Sequence, residues 1–324
     1  MPVATACANI ALVKYWGKRD AQLNLPAAGS LSLTLDALQT RTQVELIDEA
    51  EDRLELDGQR QQGRALKRIT EFADIVRARA DSRRRVAVTS TNAFPTAAGL
   101  ASSASAFAAL AVAVSEAMGV SLSPLELSAL ARQGSGSAAR SIFGGYALMH
   151  AGSASDGHDA FAEPLADIDL SLHAVIAVAA AGPKSVGSTE GMELTRETSP
   201  YHRAWLETVE RDLGACQEAL RSKDLDRLAT IVEGNCLAMH ANAMAARPGI
   251  IYFRAATLWA IEQVRKLRAS GTPVFFTIDA GPHVVAFTLA EHVAAVKAAL
   301  TGHPDVAEVL TSAPGLGAAL VDEP

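Results

Sequence analysis

Cysteine is scarce in this chain. The three present, Cys7, Cys216 and Cys236, are odd in number and far apart. No Cys-x-x-Cys spacing occurs, which argues against a disulfide framework and a zinc site. The expectation is a reducing, cytoplasmic compartment. Basic charge is also short: 29 Lys and Arg stand against 36 Asp and Glu, a formal net charge of −7. That balance argues against a nucleic-acid binder, whose footprint is ordinarily basic. The beginning of the chain lacks the basic-then-apolar layout of a signal peptide. There is no internal repeat, no low-complexity tail and no G-x-x-x-x-G-K-[ST] phosphate loop. One uncharged stretch, Val86 to Ser115, has the length of a membrane span. It holds Pro95, Gly99 and many hydroxyl residues, and its helical part is mostly Ala and Ser, so a buried core helix is expected instead.

Apolar residues are plentiful, 49% of 324, enough for a full core and for two domains. In the first half, Leu31–Leu35 and Thr42–Ile47 alternate as half-buried strands. Leu54-Glu55-Leu56 runs into an Asp57-Gly58 turn. Leu66, Ile69, Phe72, Ala73 and Val76 predict an amphipathic helix over 65–80. Val86-Ala87-Val88 is a strand, and the helix after it buries Phe107, Leu110, Ala111, Val114 and Met118. Ser123-Pro124-Leu125-Glu126 opens another helix with a capping box and Pro at its first position, ending near Gln133. The Gly, Ser and Asp of 151–171 mark a candidate boundary. Beyond it, Leu172–Ala180 reads as a central strand. Helices are expected from Ser199-Pro200, over Leu225–Ala245 and Arg254–Ala269, and over Ala290–Leu300. Strands are expected at Val274–Ile278, Val284–Phe287 and Val306–Leu310. Interleaving without strict βαβ repetition predicts an α+β architecture.

Four clusters carry the candidate chemistry. Residues 94–105, Phe-Pro-Thr-Ala-Ala-Gly-Leu-Ala-Ser-Ser-Ala-Ser, lead from a loop into a helix. A helix start has unpaired N–H groups and partial positive charge, so it attracts anions. Gly99 and its small neighbours would let a phosphate come close, and Ser102, Ser103 and Ser105 add hydroxyls for phosphate or metal. The same residues suit a plain close-packed helix, and on their own they leave both readings open. Asn9–Lys18 places two lysines and Tyr15 beside a turn glycine; lysine suits phosphate, and a strand edge with solvated lysines is the plainer reading. Gly134–Ser141 combines flexible glycines, three hydroxyls and Arg140, which suits a two-pronged grip on a carboxylate or phosphate, or a linker. Lys184–Met192 reads as a hydroxyl-rich loop. Asp279, before Ala280-Gly281-Pro282, is either a turn former or a catalytic base.

Taken together, Asn9–Lys18, Phe94–Ser105, Gly134–Gly145 and Phe276–Pro282 resemble the mevalonate diphosphate decarboxylase family. That family belongs to the galactokinase, homoserine kinase, mevalonate kinase and phosphomevalonate kinase superfamily. Lys-Tyr-Trp-Gly-Lys, Pro-Thr-Ala-Ala-Gly-Leu-Ala-Ser-Ser-Ala and Ile-Asp-Ala-Gly-Pro are specific to the decarboxylase branch, and Asn24-Leu25-Pro26 fits as well. The resemblance implies a two-domain α+β small-molecule-kinase fold, 1–170 and 171–324, with the active site in the cleft between them. It implies ATP-dependent decarboxylation of mevalonate 5-diphosphate to isopentenyl diphosphate, with ADP, phosphate and carbon dioxide, by a cytoplasmic homodimer using Mg²⁺.

By the same resemblance, Ala97, Ala98, Gly99, Leu100, Ala101, Ser102 and Ser103 hold the ATP phosphates, with Ser103 toward the metal. Asp279 orients or deprotonates the tertiary hydroxyl, and Arg140 holds the carboxylate. Tyr15, Lys18, Ser137 and Ser188 surround the diphosphate, with Lys18 also placed in the catalytic set. Three positions depart from the family pattern: Ala139 where Cys is frequent, Ala28-Gly29-Ser30 for Asn-Ser-Ser, and His283 where many relatives carry Asn. A kinase or a monophosphate decarboxylase on the same fold, and a non-catalytic nucleotide-binding regulator, are the alternatives.

Overall fold

The computed structural model describes residues 1–94, 102–180 and 186–321. Its first sheet is built on β1 (Val3–Val13) paired antiparallel with β4 (Ser30–Ile47). A small ribbon, β2 (Lys18–Asp20) with β3 (Leu25–Pro26), lies between them in the chain. β4 is one strand of 18 residues where the alternation predicts two. Asp36, in the gap, is satisfied from far along the chain: its carboxylate accepts from the Ser312 hydroxyl and the Ala313 amide. The ladder jumps here, from Cys7 opposite Gln39 to Asn9 opposite Thr34, so Leu35–Leu38 bulge out.

A bulge of this kind can reverse which face a residue meets. Before the break, Ala4 and Ala6 pack under the helices. After it, Ala8, Ile10 and Leu12 belong to the core on the other face, and Asn9 and Ala11 turn to a cavity.

β5 (Arg53–Leu56) and β6 (Gln59–Gln61) form the hairpin expected at Asp57-Gly58, whose φ values of 50° and 77° both suit a type I′ turn. α1 (Arg64–Ala80), β7 (Arg85–Asn92) and α2 (Ser102–Ala117) follow as expected. The described helical part of the uncharged stretch is core: α2 buries Phe107, Leu110 and a run of alanines against β1 and β4. Among the described residues no helix is long and apolar enough to cross a membrane. α3 (Pro124–Gly134) has both bonds of the expected capping box, Ser123 with Glu126. α4 (Ala138–Ser141), β8 (Tyr146–Met149) and β9 (Ala162–Pro164) complete this half. Part of the 151–171 stretch is therefore a strand of the first sheet rather than connector.

The second sheet is antiparallel throughout. Its order is β11 (Val274–Thr277), β12 (Val284–Thr288), β10 (His173–Ala179), β13 (Val306–Ser312). α5 (Ser188–Thr198), α6 (His202–Arg221), α7 (Leu225–Met244), α8 (Ala255–Ala269) and α9 (Val293–Leu300) accompany it. The helix expected over 290–300 begins with a 3₁₀ turn at Ala290–His292. Of the stretch 184–192 expected as a loop, Lys184 and Ser185 lie outside the described residues, and α5 opens at Ser188. Finally β14 (Ala319–Val321) returns to the first sheet beside β1. The largest core joins the halves: β1 and β4 residues pack with Trp205 and Val209 of α6 and Val232 and Met239 of α7.

Candidate active site

A cavity of about 930 Å³ opens between the two halves. Tyr15, Lys18, Ser102, Ser103, Ser137, Arg140, Ser188 and Asp279 all line it, so the described sequence candidates meet in one place. Ala97, Ala98, Gly99, Leu100 and Ala101 lie outside the described residues.

The lysines of 9–18 are not solvated: Lys14 is 2% exposed and Lys18 8%. Lys14 Nζ reaches Asp279 Oδ1 at 2.5 Å. A lysine this buried loses most of its hydration, and a single carboxylate seldom offsets that loss well enough to explain the pair by stability. A role in chemistry explains it better. The backbone N–H of Lys14 donates to Asn235 Oδ1 (2.8 Å), and Asn235 Nδ2 donates to Asp212 (2.9 Å). Asp279 does not use its carboxylate to form the turn: the turn is closed by Gly281 N–H donating to the Asp279 carbonyl. The side chain is left for Lys14 and the cavity.

Arg140 sits on α4, 2% exposed. Its Nε donates to Asn9 Oδ1 (3.2 Å) and Ser32 Oγ (3.0 Å), and Nη1 donates to Ser30 Oγ (2.5 Å). The strand residues Asn9, Ser30 and Ser32 thus fix the guanidinium plane. Burial pulls its pKa down to about 10, against the charge of Asp279, so it stays a cation at neutral pH.

The glycines of 134–141 serve close approach, not flexibility. A Cβ at Gly134 would lie 2.1 Å from the Phe107 ring, and one at Gly136 would lie 2.3 Å from Tyr15 Oη. The expectation of a flexible segment is corrected accordingly. Hydroxyls run across this corner, Ser103 to Ser135 at 3.2 Å and Ser135 to Ser137 at 3.3 Å. Tyr15 Oη is buried without a partner among the described residues. Burial pushes the Tyr15 phenol well up, so it is a neutral donor.

Lys18 donates to Asn24 Oδ1 (2.6 Å), and Asn24 donates to the Gln133 carbonyl (2.7 Å). Burial, then the nearby Arg68, lower the Lys18 pKa. Arg68 donates to the Gly134 carbonyl (3.1 Å) and stacks over Phe107 at 4.8 Å. With Arg64 and Lys67 it forms a cationic wall from α1 that sequence reasoning missed, as it missed Asn235. Lys14 and Asn9 lie inside the stretch Asn9–Lys18, but sequence reasoning gave them no role of their own. The only signal for the wall was the basic side of an amphipathic helix, which ordinarily means solvent. His283 packs: its Nδ1 accepts from the Ala179 amide at 3.0 Å.

Among the described residues, no group of three or more His, Cys, Asp or Glu gathers to hold a metal. The cavity offers serine hydroxyls and separate carboxylates as oxygen donors, beside lysines and arginines that suit phosphate. That fits Mg²⁺ carried in on phosphate oxygens, since this ion keeps waters and takes few protein ligands.

The chain matches the family model described as diphosphomevalonate decarboxylase-like N-terminal domain over residues 6–162. It matches the mevalonate 5-diphosphate decarboxylase C-terminal domain over 174–313. It is 40% identical over 306 residues to a diphosphomevalonate decarboxylase of Aspergillus fumigatus, covering 88% of this chain and 76% of that one. A solved mevalonate diphosphate decarboxylase from Enterococcus faecalis superposes with a TM-score of 0.92 at 40% identity, covering 99% of each chain. A structure described as MDDEF in complex with MVAPP, AMPPCP and magnesium gives a TM-score of 0.93 at 41% identity, again over 99% of each chain.

Proposed function

The chain belongs to the mevalonate 5-diphosphate decarboxylase family, and on that premise we propose how its own residues divide the reaction. The protein is an enzyme of the mevalonate pathway that decarboxylates mevalonate 5-diphosphate at the expense of ATP, with Mg²⁺. The chemistry sets the demands. A tertiary hydroxyl leaves poorly, so ATP first phosphorylates it. Departure of that phosphate leaves electron deficiency at the carbon, and the neighbouring carboxylate is lost as carbon dioxide to form the alkene of isopentenyl diphosphate.

Asp279 accepts the proton of the hydroxyl or aligns it for attack, with Lys14 holding the carboxylate in place. Arg140, clamped by Asn9, Ser30 and Ser32, presents its remaining N–H groups to the substrate carboxylate. Tyr15, Lys18, Ser137 and Ser188 receive the diphosphate tail. Ser102 and Ser103 would face the ATP phosphates, with Ser103 the hydroxyl that would serve the metal. Ala97–Ala101, which lie outside the described residues, are assigned to the same ATP-binding set by the family resemblance. Bound Mg²⁺ neutralises phosphate charge as it develops. The Arg64, Lys67 and Arg68 wall gives the anionic ligands further positive charge.

What carries the reading is the convergence of Asp279, Lys14 and Arg140 on one cavity from both halves of the chain. A division at 1–170 and 171–324 belongs to the proposal, with β14 completing the edge of the first half's sheet. So does a cytoplasmic homodimer; the reducing compartment is supported by three free, buried cysteines. The test is incubation with ATP, Mg²⁺ and either mevalonate 5-diphosphate or mevalonate 5-phosphate, assaying carbon dioxide and ADP. Both products are expected from the diphosphate. ADP without carbon dioxide would make the protein a kinase, and preference for the monophosphate would overturn the assignment of the diphosphate residues.

A further inference from the structure

β11 ends at Thr277, paired with Val285. Ile278 follows, fully buried and beyond that ladder. Its N–H and C=O would be orphaned there, which costs about as much as a lost hydrogen bond. Two side chains of α7, one helical turn apart, take them up. Cys236 Sγ accepts from the Ile278 N–H at 3.1 Å and donates to its C=O at 3.5 Å. His240 Nε2 donates to the same C=O at 3.2 Å. The imidazole is locked among the rings of Phe253 (4.5 Å) and Tyr252 (6.0 Å). From the same helix, Asn235 holds the amide of Lys14. α7 therefore grips the residue before Asp279 and the backbone of the lysine facing it.

We propose that His240 is a positioning residue for the reaction: through the Ile278 carbonyl it fixes the direction of the Asp279 carboxylate toward Lys14 and the cavity. A thiol is a weak donor, so the imidazole N–H is the firmer anchor on that carbonyl. His240 does not line the cavity and is not a catalytic residue. The inference rests on the reading in which Asp279 handles the tertiary hydroxyl.

Two variants of the full chain separate positioning from packing. His240→Gln carries an amide N–H close to where Nε2 lies. His240→Asn carries the same amide one methylene shorter and falls short of Ile278. Steady-state kinetics with ATP, Mg²⁺ and mevalonate 5-diphosphate are run at a temperature where melting curves show both variants folded. His240→Asn is expected to lose about 10-fold in kcat, the scale of one buried hydrogen bond, with KM for both substrates unchanged. His240→Gln is expected to recover most of that kcat. Equal kcat in the two variants, or a loss that falls on KM, overturns the proposal. If the Asn variant does not fold, His240→Leu, which has no donor, replaces it in the same comparison. Asp279→Asn is measured alongside and is expected to lose at least ~10²-fold in phosphoryl transfer. Near-normal transfer in that mutant would refute the reading of Asp279 itself. An inactive Asp279→Asn with indistinguishable Gln and Asn variants would refute only the positioning role.

Discussion

Arg140, proposed to hold the substrate carboxylate, is itself held by its neighbours. Its Nε and Nη1 are committed to Asn9, Ser30 and Ser32, and on that proposal the far edge of the planar fork is the part that meets substrate. Lysine would keep the charge but lose these bonds and the plane. Hydrogen bonds to a charged group are worth about 1.5–3 kcal/mol each, so Arg140→Lys is expected to cost about 10- to 100-fold in kcat/KM. Steady-state rates on a variant of unchanged melting temperature test this, and near wild-type turnover would remove Arg140 from carboxylate binding. A distinctive local setting makes a residue stand out in the sequence: Arg140 after a Gly-Ser run, and Asp279 before Ala-Gly-Pro. The same settings suit a linker and a turn, and the proposed roles of both residues come from the family resemblance. Lys14 does not stand out even in that way. It lies inside a stretch singled out for its lysines, but its partner is 265 positions away, and only the fold brings the two within 2.5 Å.

At the level of elements, local chemistry decides what can be read. The Asp57-Gly58 hairpin and the Ser123–Glu126 capping box are set by residues within four positions of each other, and both form as expected. α5 is hidden because Gly187-Ser188-Thr189-Glu190-Gly191 has the composition of a loop. Gly191 is tolerated inside that helix for a tertiary reason: a Cβ there would come within 2.8 Å of the Tyr252 hydroxyl and 3.0 Å of Trp16. The turn between α3 and α4 obeys the same logic. Gly136→Ala would drive a methyl into Tyr15, and overpacking of this kind costs about 1–3 kcal/mol. The expected outcome is a lower melting temperature together with a raised KM for mevalonate 5-diphosphate, because Tyr15 is pushed from its place. An unchanged KM would show that Tyr15 does not touch the substrate.

For the whole molecule, pH and salt should act through groups already placed. Burial, and then the charge of Lys14, lower the His240 pKa from 6.5 to about 4. Above pH 6.5 it is neutral in both folded and unfolded chains. As pH falls toward 4 the unfolded chain takes up a proton that the native protein refuses, so stability declines, by at most about 3 kcal/mol. Melting temperatures between pH 4 and 7 should fall more steeply for the wild type than for His240→Gln, and parallel slopes would contradict this. The charges have a second outcome. The chain is −7 overall, yet among the described residues of the cavity six Lys and Arg face three Asp and Glu. Both substrates are polyanions, so the net positive lining of this cavity favours their capture against the overall negative charge of the chain, an electrostatic contribution to the rate of encounter. Raising ionic strength should lower kcat/KM for both substrates while leaving kcat nearly constant, and a flat salt dependence would mean that capture is governed by shape alone.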